Sequence, residues 1–488
     1  PDQPTPFTGH HSPRRCPPRR LLPPRLPSDA PPGMCGNLGL LLTIDAQGRL
    51  VVRVVAADGA EAQLLKPADV LEAMVAATEI RGGQAGGLSA FEYPRGGNTG
   101  PAMGRVRAIA RKRYPLAQDL ANQFRRSCPS GKASRVSALS VVGHTRFATG
   151  SVNKIPELHP HDWGHSGYKG EHAAPAQERV WQWDPPAQRL VPRVIPFAVH
   201  LSHNGDFDAL EAYSGSVVQS EVGLWLERVL HLPNSTTGDS PKLAGLVQLL
   251  RVQGRWGPAV RLAWLRAVCT RTSAVSGGDH LTKSAPNTCP PPAAWAEGWA
   301  KVFEAAWARH EGSVLRPAGP NGERYRLSAQ GVAALCADLR DALDGPTRGA
   351  LLKGAEHWPP ATVAAFVHHA VRGFLRGDLY QAVTEVLHRA EGSFGVQVHC
   401  SAEVGVVVLG CKGQPMGLAY APDLPLCLFG SETAALQVPV TADGRPLPKR
   451  LDLDEAGEVV RVGPRAPLEE GAFSEGRAAR ATPAAAAA

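Results

Sequence analysis

Two predominantly apolar runs, 35–44 and 50–56, flank the turn-forming residues 45–48, and their length predicts a pair of strands. Residues 69–78 repeat apolar positions at helical spacing. Further strands are expected at 138–148 and 194–202, each running into polar residues at its end. The period then changes. Apolar residues recur every three or four positions over 216–230 and 243–266, which predicts helices. Residues 270–292 have the Ser, Gly, Thr, Asn and Pro content of a loop, and helices are expected beyond it at 294–309, 328–343 and 361–389. Strand patterns resume at 394–399, 404–409, 424–429 and 459–462.

Strands, then helices, then strands again predict one large layered domain of mixed helix and sheet, with a helical elaboration at 294–389 in its middle. Trp295, Trp299, Trp307 and Trp358 fall in that elaboration. They suit a packed helical layer. A surface that docks a partner or covers the active site is the alternative left open by the apolar spacing.

Composition narrows the picture. The 488 residues, 43% of them hydrophobic, suffice for a substantial core. No apolar run approaches the roughly 20 residues of a membrane span, so no membrane partner is expected. Nine cysteines with no CxxC pair and no regular spacing suggest neither a zinc site nor a disulfide framework, and a reducing, cytoplasmic setting is the expectation. Residues 1–34, rich in Pro and Arg, read as a disordered leader or an extension upstream of the true start. They lack the apolar segment of a secretory signal, while their few acids also suit organelle import. Residues 464–488, ending in ATPAAAAA, read as a second disordered tail. The leader holds +3 of the net charge of +8, and no basic stripe with interleaved aromatics points to nucleic acid.

Three short segments carry candidate chemistry. Cys35, in Met34-Cys35-Gly36, is an ordinary thiol inside a chain, but as a first residue it gains an α-amine beside its sulfur. An amine of pKa about 7.7–8.0 can take the proton of a thiol of about 8.5 near neutral pH. Arg146, at the end of an expected strand, has the bidentate fork that grips an α-carboxylate, although a surface ion pair is the plainer role. Asn204-Gly205 falls where another strand is expected to give way to a turn. It offers a side-chain amide and an unshielded backbone N–H, the two donor types of an oxyanion hole.

Met34-Cys35-Gly36, HTRFAT at 144–149, His159-Pro160-His161 and HNGDF at 203–207, in this order, resemble the class II glutamine amidotransferases, which are N-terminal-nucleophile (Ntn) hydrolases. Arg81-Gly82 with Ala85-Gly86, EGSFG at 391–395 and FGSE at 429–432 extend the resemblance over 35–463. It implies an α+β fold, a four-layer αββα sandwich with a helical insertion. It also implies that Cys35 is the nucleophile, that Asn204 and Gly205 form the oxyanion hole, that Arg146 binds the α-carboxylate of glutamine, and that no cofactor or metal takes part. For the α-ammonium the resemblance points to Asp239, in an Asp-Ser pair followed by Pro241 where the family has Glu. Asp239 equally suits a helix N-cap, and Glu221 is its rival. His144, His159, His161, His200 and His203 are read as structural hydrogen-bonders rather than metal ligands. The Gly-rich 81–87 segment lacks the Gly-Lys-Ser/Thr ending of a phosphate loop and is read as close backbone packing near the pocket.

The ammonia acceptor stays open, because no dinucleotide fingerprint, phosphate loop or cysteine cluster marks a second catalytic domain. Three readings remain: a glutaminase that serves an ammonia-accepting synthase, a stand-alone amide or γ-glutamyl hydrolase, and a catalytically silent scaffold that binds a partner.

Overall fold

In the computed structural model the first strand, β1 (Gly36–Thr43), is buried along its whole length, and its alternate residues enter two different cores. Leu38, Leu40 and Leu42 pack with Leu71, Met74 and Val75 of helix Pro67–Thr78 and with Leu120 and Phe124 of helix Leu116–Ser127. Leu41 packs with Val142, Val407, Leu409 and Phe429. A predominantly apolar run is what a strand covered on both faces requires.

The structure describes residues 35–43, 53–55, 61–94, 100–110, 115–127, 136–147, 154–163, 175–212, 215–232, 238–269, 293–318, 324–344, 358–422, 424–463 and 469–472. All belong to the unit Pro32–Ala488. The expected turn at 45–48, the loop at 270–292 and the leader lie outside these residues.

The remaining strands are β2 (Arg53–Val55), β3 (Glu61–Gln63), β4 (Ala85–Pro94), β5 (Ala102–Ile109), β6 (Val136–Arg146), β7 (Gln177–Asp184), β8 (Arg189–Pro196), β9 (Val199–Ala212) and β10 (Gly215–Val218). They continue as β11 (Leu315–Ala318), β12 (Arg324–Leu327), β13 (Ala390–Cys400), β14 (Val407–Lys412), β15 (Gly417–Tyr420), β16 (Leu426–Gly430), β17 (Lys449–Asp452), β18 (Glu458–Val462) and β19 (Glu469–Ala472). A seven-stranded sheet has the order β17-β15-β16-β1-β6-β4-β5, and a six-stranded sheet the order β10-β9-β13-β14-β18-β19. Pairing in both is antiparallel.

Strand β13 repeats the logic of β1. Phe394, Val396 and Val398 pack with residues of helices Gln219–Leu230, Ser240–Leu250 and Leu379–Arg389. The alternate residues meet the larger sheet: Gln397 donates to Leu38 O at 2.9 Å, and His399 Nδ1 lies 2.9 Å from Ser140 Oγ. Asn37 Nδ2 donates to Gly395 O at 2.6 Å, so backbone and side chains of both sheets are joined across a partly polar seam.

A third core lies among helices Trp256–Trp264, Ala293–Val314, Ala329–Asp344 and Pro360–Arg376. The Trp256 ring stacks on Phe374 at 3.7 Å between centroids. Trp299 and Trp307 are fully buried here and Trp358 packs against them, so these rings fill a core rather than an outer surface.

Several expected spans break in the structure. The strand expected at 194–202 is the end of β8 and the start of β9, because Phe197 and Ala198 turn their N–H groups to Ala176 O and Ser401 Oγ. The helix expected at 216–230 starts only at Gln219, after β10. That at 243–266 is interrupted at 251–255, and that at 361–389 breaks at Gly377-Asp378, where Asp378 accepts from Gln381 N at 2.9 Å and caps the next helix. Residues 469–472, expected in a disordered tail, pair with β18 as β19. No helix among the described residues is long and apolar enough to cross a membrane.

Candidate active site

Cys35 directly precedes β1, and the pairing of Gly36 with Thr145 sets it beside the end of β6. Its half-buried Sγ donates to Phe147 O at 3.8 Å. Gly82 backs the same turn: a Cβ there would lie 2.4 Å from Phe147 N, so only glycine lets the two backbones approach. The Gly-rich segment is thus the close backbone packing expected of it. Arg146, the last residue of β6, donates from Nη1 to Glu157 O, which anchors the guanidinium beside the 3-10 turn Ile155–Glu157.

Asn204 and Gly205 do not occupy a turn. Strand β9 runs through them to Ala212, with Gly205 opposite Phe394 of β13 and a register shift at Glu391/Gly392 just beyond. Gly205 has φ +103°, and a Cβ on it would sit 2.1 Å from Ser393 O. The position therefore demands glycine on two grounds, conformation and space. Asn204 is 3% exposed, and neither atom of its amide completes a hydrogen bond among the described residues, although it lies near enough to His144 to oppose the fall in that ring's pKa. A buried amide left without partners is rare enough to need a reason.

Asp239 caps helix Ser240–Leu250, with its Oδ1 accepting from Ser240 N at 2.7 Å. Its Oδ2 accepts from Phe207 N at 3.0 Å, which brings the acid to the strand that carries Asn204. Glu221 sits in the first turn of helix Gln219–Leu230. Of these two acids, Asp239 is the one that acts on the Cys35 thiol.

Burial pushes the Cys35 thiol above its ordinary pKa. The Phe147 carbonyl contact and the Arg146 charge pull it down, while the charges of Asp239 and Asp206 push it up. The sulfur thus feels a guanidinium and two carboxylates at once, the charge pattern complementary to the two ends of an amino acid. It also stays protonated near neutral pH unless a base is supplied.

The histidines form buried stacks rather than an open ligand set. His144 and His159 stack at 4.1 Å, and His159 meets His161 at 4.4 Å. His159 Nδ1 accepts from His203 N at 3.2 Å, and His203 Nδ1 lies 3.1 Å from Ser240 Oγ. Burial, helped by the charge of Arg146, lowers His144 to about 3. His159, His161 and His203 are lowered first by burial as well. No group of three or more His, Cys, Asp or Glu suited to a metal ion occurs among the described residues. His200 lies apart from this group, against Ser89 in the seam between the sheets.

Sequence reading passed over Asp206 and Ser240. Asp206 lies inside the quoted HNGDF segment, and that place, one residue past Gly205, is the signal that was available. Ser240 follows Asp239 and links it to His203, which only the folded structure reveals.

No family model matches the chain, and no curated protein matches it. Solved structures that resemble it include that of the allosteric regulatory enzyme of purine biosynthesis, at 10% identity and a TM-score of 0.38, covering 90% of this chain and 49% of that one. Another is glutamine phosphoribosylpyrophosphate amidotransferase from B. subtilis complexed with ADP and GMP, at 10% identity and a TM-score of 0.31, covering 90% of this chain and 50% of that one. The chain spans about half the length of each.

Proposed function

We propose that this protein is a class II glutamine amidotransferase that hydrolyses the side-chain amide of glutamine through Cys35 as the first residue of the mature chain. The observation that carries the reading is the seating of Cys35 beside the end of β6, which closes on Arg146, together with the Asp239 carboxylate bound to Phe207 N of the strand that carries Asn204 and Gly205. Arg146 holds the α-carboxylate of glutamine and Asp239 its α-ammonium, which aligns the amide carbon with the sulfur. The two sheets with helices on their outer faces then form the four-layer αββα sandwich of Ntn hydrolases, and the helices of the third core are its insertion.

The free α-amine of Cys35 takes the Sγ proton, and the thiolate attacks the amide carbon. The Asn204 side chain and the Gly205 N–H stabilise the oxyanion, a role that gives the unpartnered Asn204 amide its reason. Collapse, with the proton returned to the leaving nitrogen, expels ammonia and leaves a γ-glutamyl thioester. Water then releases glutamate. The ammonia passes to an acceptor, on a partner synthase or in water.

The test is intact mass of the purified protein after incubation with a glutamine analogue bearing an electrophile at the amide carbon. One adduct on a chain that begins at Cys35, with ammonia release from glutamine before labelling and none after, is the expected result. Chains that retain Met34 and yet release ammonia, or that begin at Cys35 and take no label, would overturn the reading.

A further inference from the structure

Helices Trp256–Trp264, Pro360–Arg376 and Leu379–Arg389, with the C-terminal end of helix Ser240–Leu250, line a cleft of about 560 Å³ that opens to solvent. None of the residues assigned to the cysteine site lines it. Val252, Leu262, Leu375 and Ala382 give it an apolar floor. Arg266, Arg372, Arg376 and Arg389 give it a cationic wall. The volume lies within the range of small-molecule sites, roughly 300–1,000 Å³, although the lining is more highly charged than is usual for them.

The two acids of the wall are already engaged. Arg266 Nη2 lies 2.6 Å from both carboxylate oxygens of Glu385. Asp378 accepts from Gln381 N at 2.9 Å and pairs with Arg461 at 3.4 Å, and burial pushes it up to about 6. By contrast, Arg372 and Arg376 are solvent-exposed at the mouth of the cleft, and their guanidinium groups make no hydrogen bond or ion pair among the described residues. They stand one turn apart on the same helix, a spacing at which like charges repel. Arg376 alone is explained by the favourable place of a cation in the last turn of a helix. Arg372, a full turn earlier, is not. The half-buried His369 reports the same field: burial lowers its pKa first, and Arg266, His368 and Arg372 lower it further against Glu385.

We propose that this cleft is a binding site for a phosphomonoester with a small apolar body, its phosphate held between Arg372 and Arg376 and its body laid on the Val252, Leu262, Leu375 and Ala382 floor. A phosphate dianion matches two guanidinium groups in charge and has three terminal oxygens to share between their forks, whereas a carboxylate has one charge and two oxygens, enough for one fork. The apolar floor selects against free inorganic phosphate. The site is independent of the cysteine chemistry proposed above.

Isothermal titration of the full-length protein at low salt with phenyl phosphate, inorganic phosphate and phenol tests the assignment. Phenyl phosphate is expected to bind one per chain with Kd at or below roughly 1 mM, inorganic phosphate at least about tenfold more weakly, and phenol not measurably. Replacing both cations, Arg372→Gln with Arg376→Gln, should weaken phenyl phosphate at least about tenfold while the ligand-free melting temperature stays put. In the wild-type protein, NMR titration of His369 should show its pKa rise when phenyl phosphate is bound. Absence of saturable phenyl phosphate binding, equal binding by the double variant, equal affinity for inorganic phosphate, or a His369 pKa unmoved by saturating ligand would each overturn the proposal.

Discussion

Phe207 donates its backbone N–H to the Asp239 carboxylate at 3.0 Å, so the strand that carries Asn204 and Gly205 is pinned to the N-terminus of helix Ser240–Leu250. One carboxylate therefore has a capping oxygen, a strand contact and a charge that reaches the Cys35 thiol. Asp239→Asn separates these roles, since Asn caps a helix about as well as Asp. Stability should fall by about 1–3 kcal/mol, because Asn keeps one acceptor oxygen where Asp239 uses two, for Ser240 N and Phe207 N, while KM for glutamine should rise more than about tenfold through loss of the proposed ammonium partner. Steady-state kinetics read beside melting curves decide the matter, and an unchanged KM would leave Asp239 as a cap alone.

Asn204→Ala should cut kcat for glutamine hydrolysis by roughly a hundredfold or more, the usual effect of losing one oxyanion donor. Unlike most buried substitutions it should not destabilise the protein. The amide has no partner to lose, and leaving such a group buried costs about 1–3 kcal/mol. Denaturant unfolding is expected to give a midpoint equal to or above that of the wild type. A large loss of stability would show that the amide is bonded in solution.

Gly205→Ala makes the opposite demand. A side chain at φ +103° is strained, and its Cβ would lie 2.1 Å from a backbone oxygen of the partner strand. Destabilisation of about 3 kcal/mol or more is expected, with loss of activity, and urea unfolding measures it. A variant as stable as the wild type would mean that β9 does not pass the site in this conformation.

Acid should weaken the fold early. His144 and His399 are each lowered to about 3, and His159, His161 and His203 are lowered by burial in the same sense. Their folded values lie below the unfolded value of about 6.5, so the folded form binds fewer protons. The stability they contribute is fully present above pH 6.5 and is lost as pH falls toward 3, at up to about 1.4 kcal/mol per pH unit for each ring. Carboxyls raised by burial act the other way, Asp378 below its value of about 6. Melting temperatures between pH 7.5 and 6 should therefore fall, and His399→Gln should make the fall shallower. A midpoint that holds or rises over that interval would show these rings charged in the fold.

Much of the architecture is legible in the chain because burial on both faces leaves a plain signature. The run that predicts β1 is predominantly apolar, and the strand patterns at 138–148, 394–399, 404–409, 424–429 and 459–462 fall on β6, β13, β14, β16 and β18. Strand β4 hides because its first residues, Ala85-Gly86-Gly87, belong to the Gly-rich 81–87 segment, which has no strand pattern of its own, and β5 hides because its burial alternates with exposed and charged positions. Asn204-Gly205 has the local chemistry of a turn. What holds it in a strand is the pairing with β13 and the irregularity at Gly392, distant in sequence and invisible to any local pattern. The helical interruptions at 251–255 and 377–378 have a tertiary cause too. Val252, Gln253 and Gly377 exchange backbone hydrogen bonds there, with Val252 N and Gln253 N both donating to Gly377 O.

The position of β1 between β6 and β16 has a consequence for how the protein is made. Asn37 N donates to Ser431 Oγ across a separation of 394 residues, and Leu38 pairs with Gly430. At a synthesis rate of about 5–20 residues per second, the ribosome needs roughly 20–80 s to supply that neighbour. Throughout that interval the strand beside Cys35 has an open edge, and a hydrophobic run with unpaired N–H and C=O groups is a template for pairing with other chains. The Cys35 sulfur is therefore seated among the last events of folding, and a nascent chain arrested before residue 426 should aggregate through its first strand.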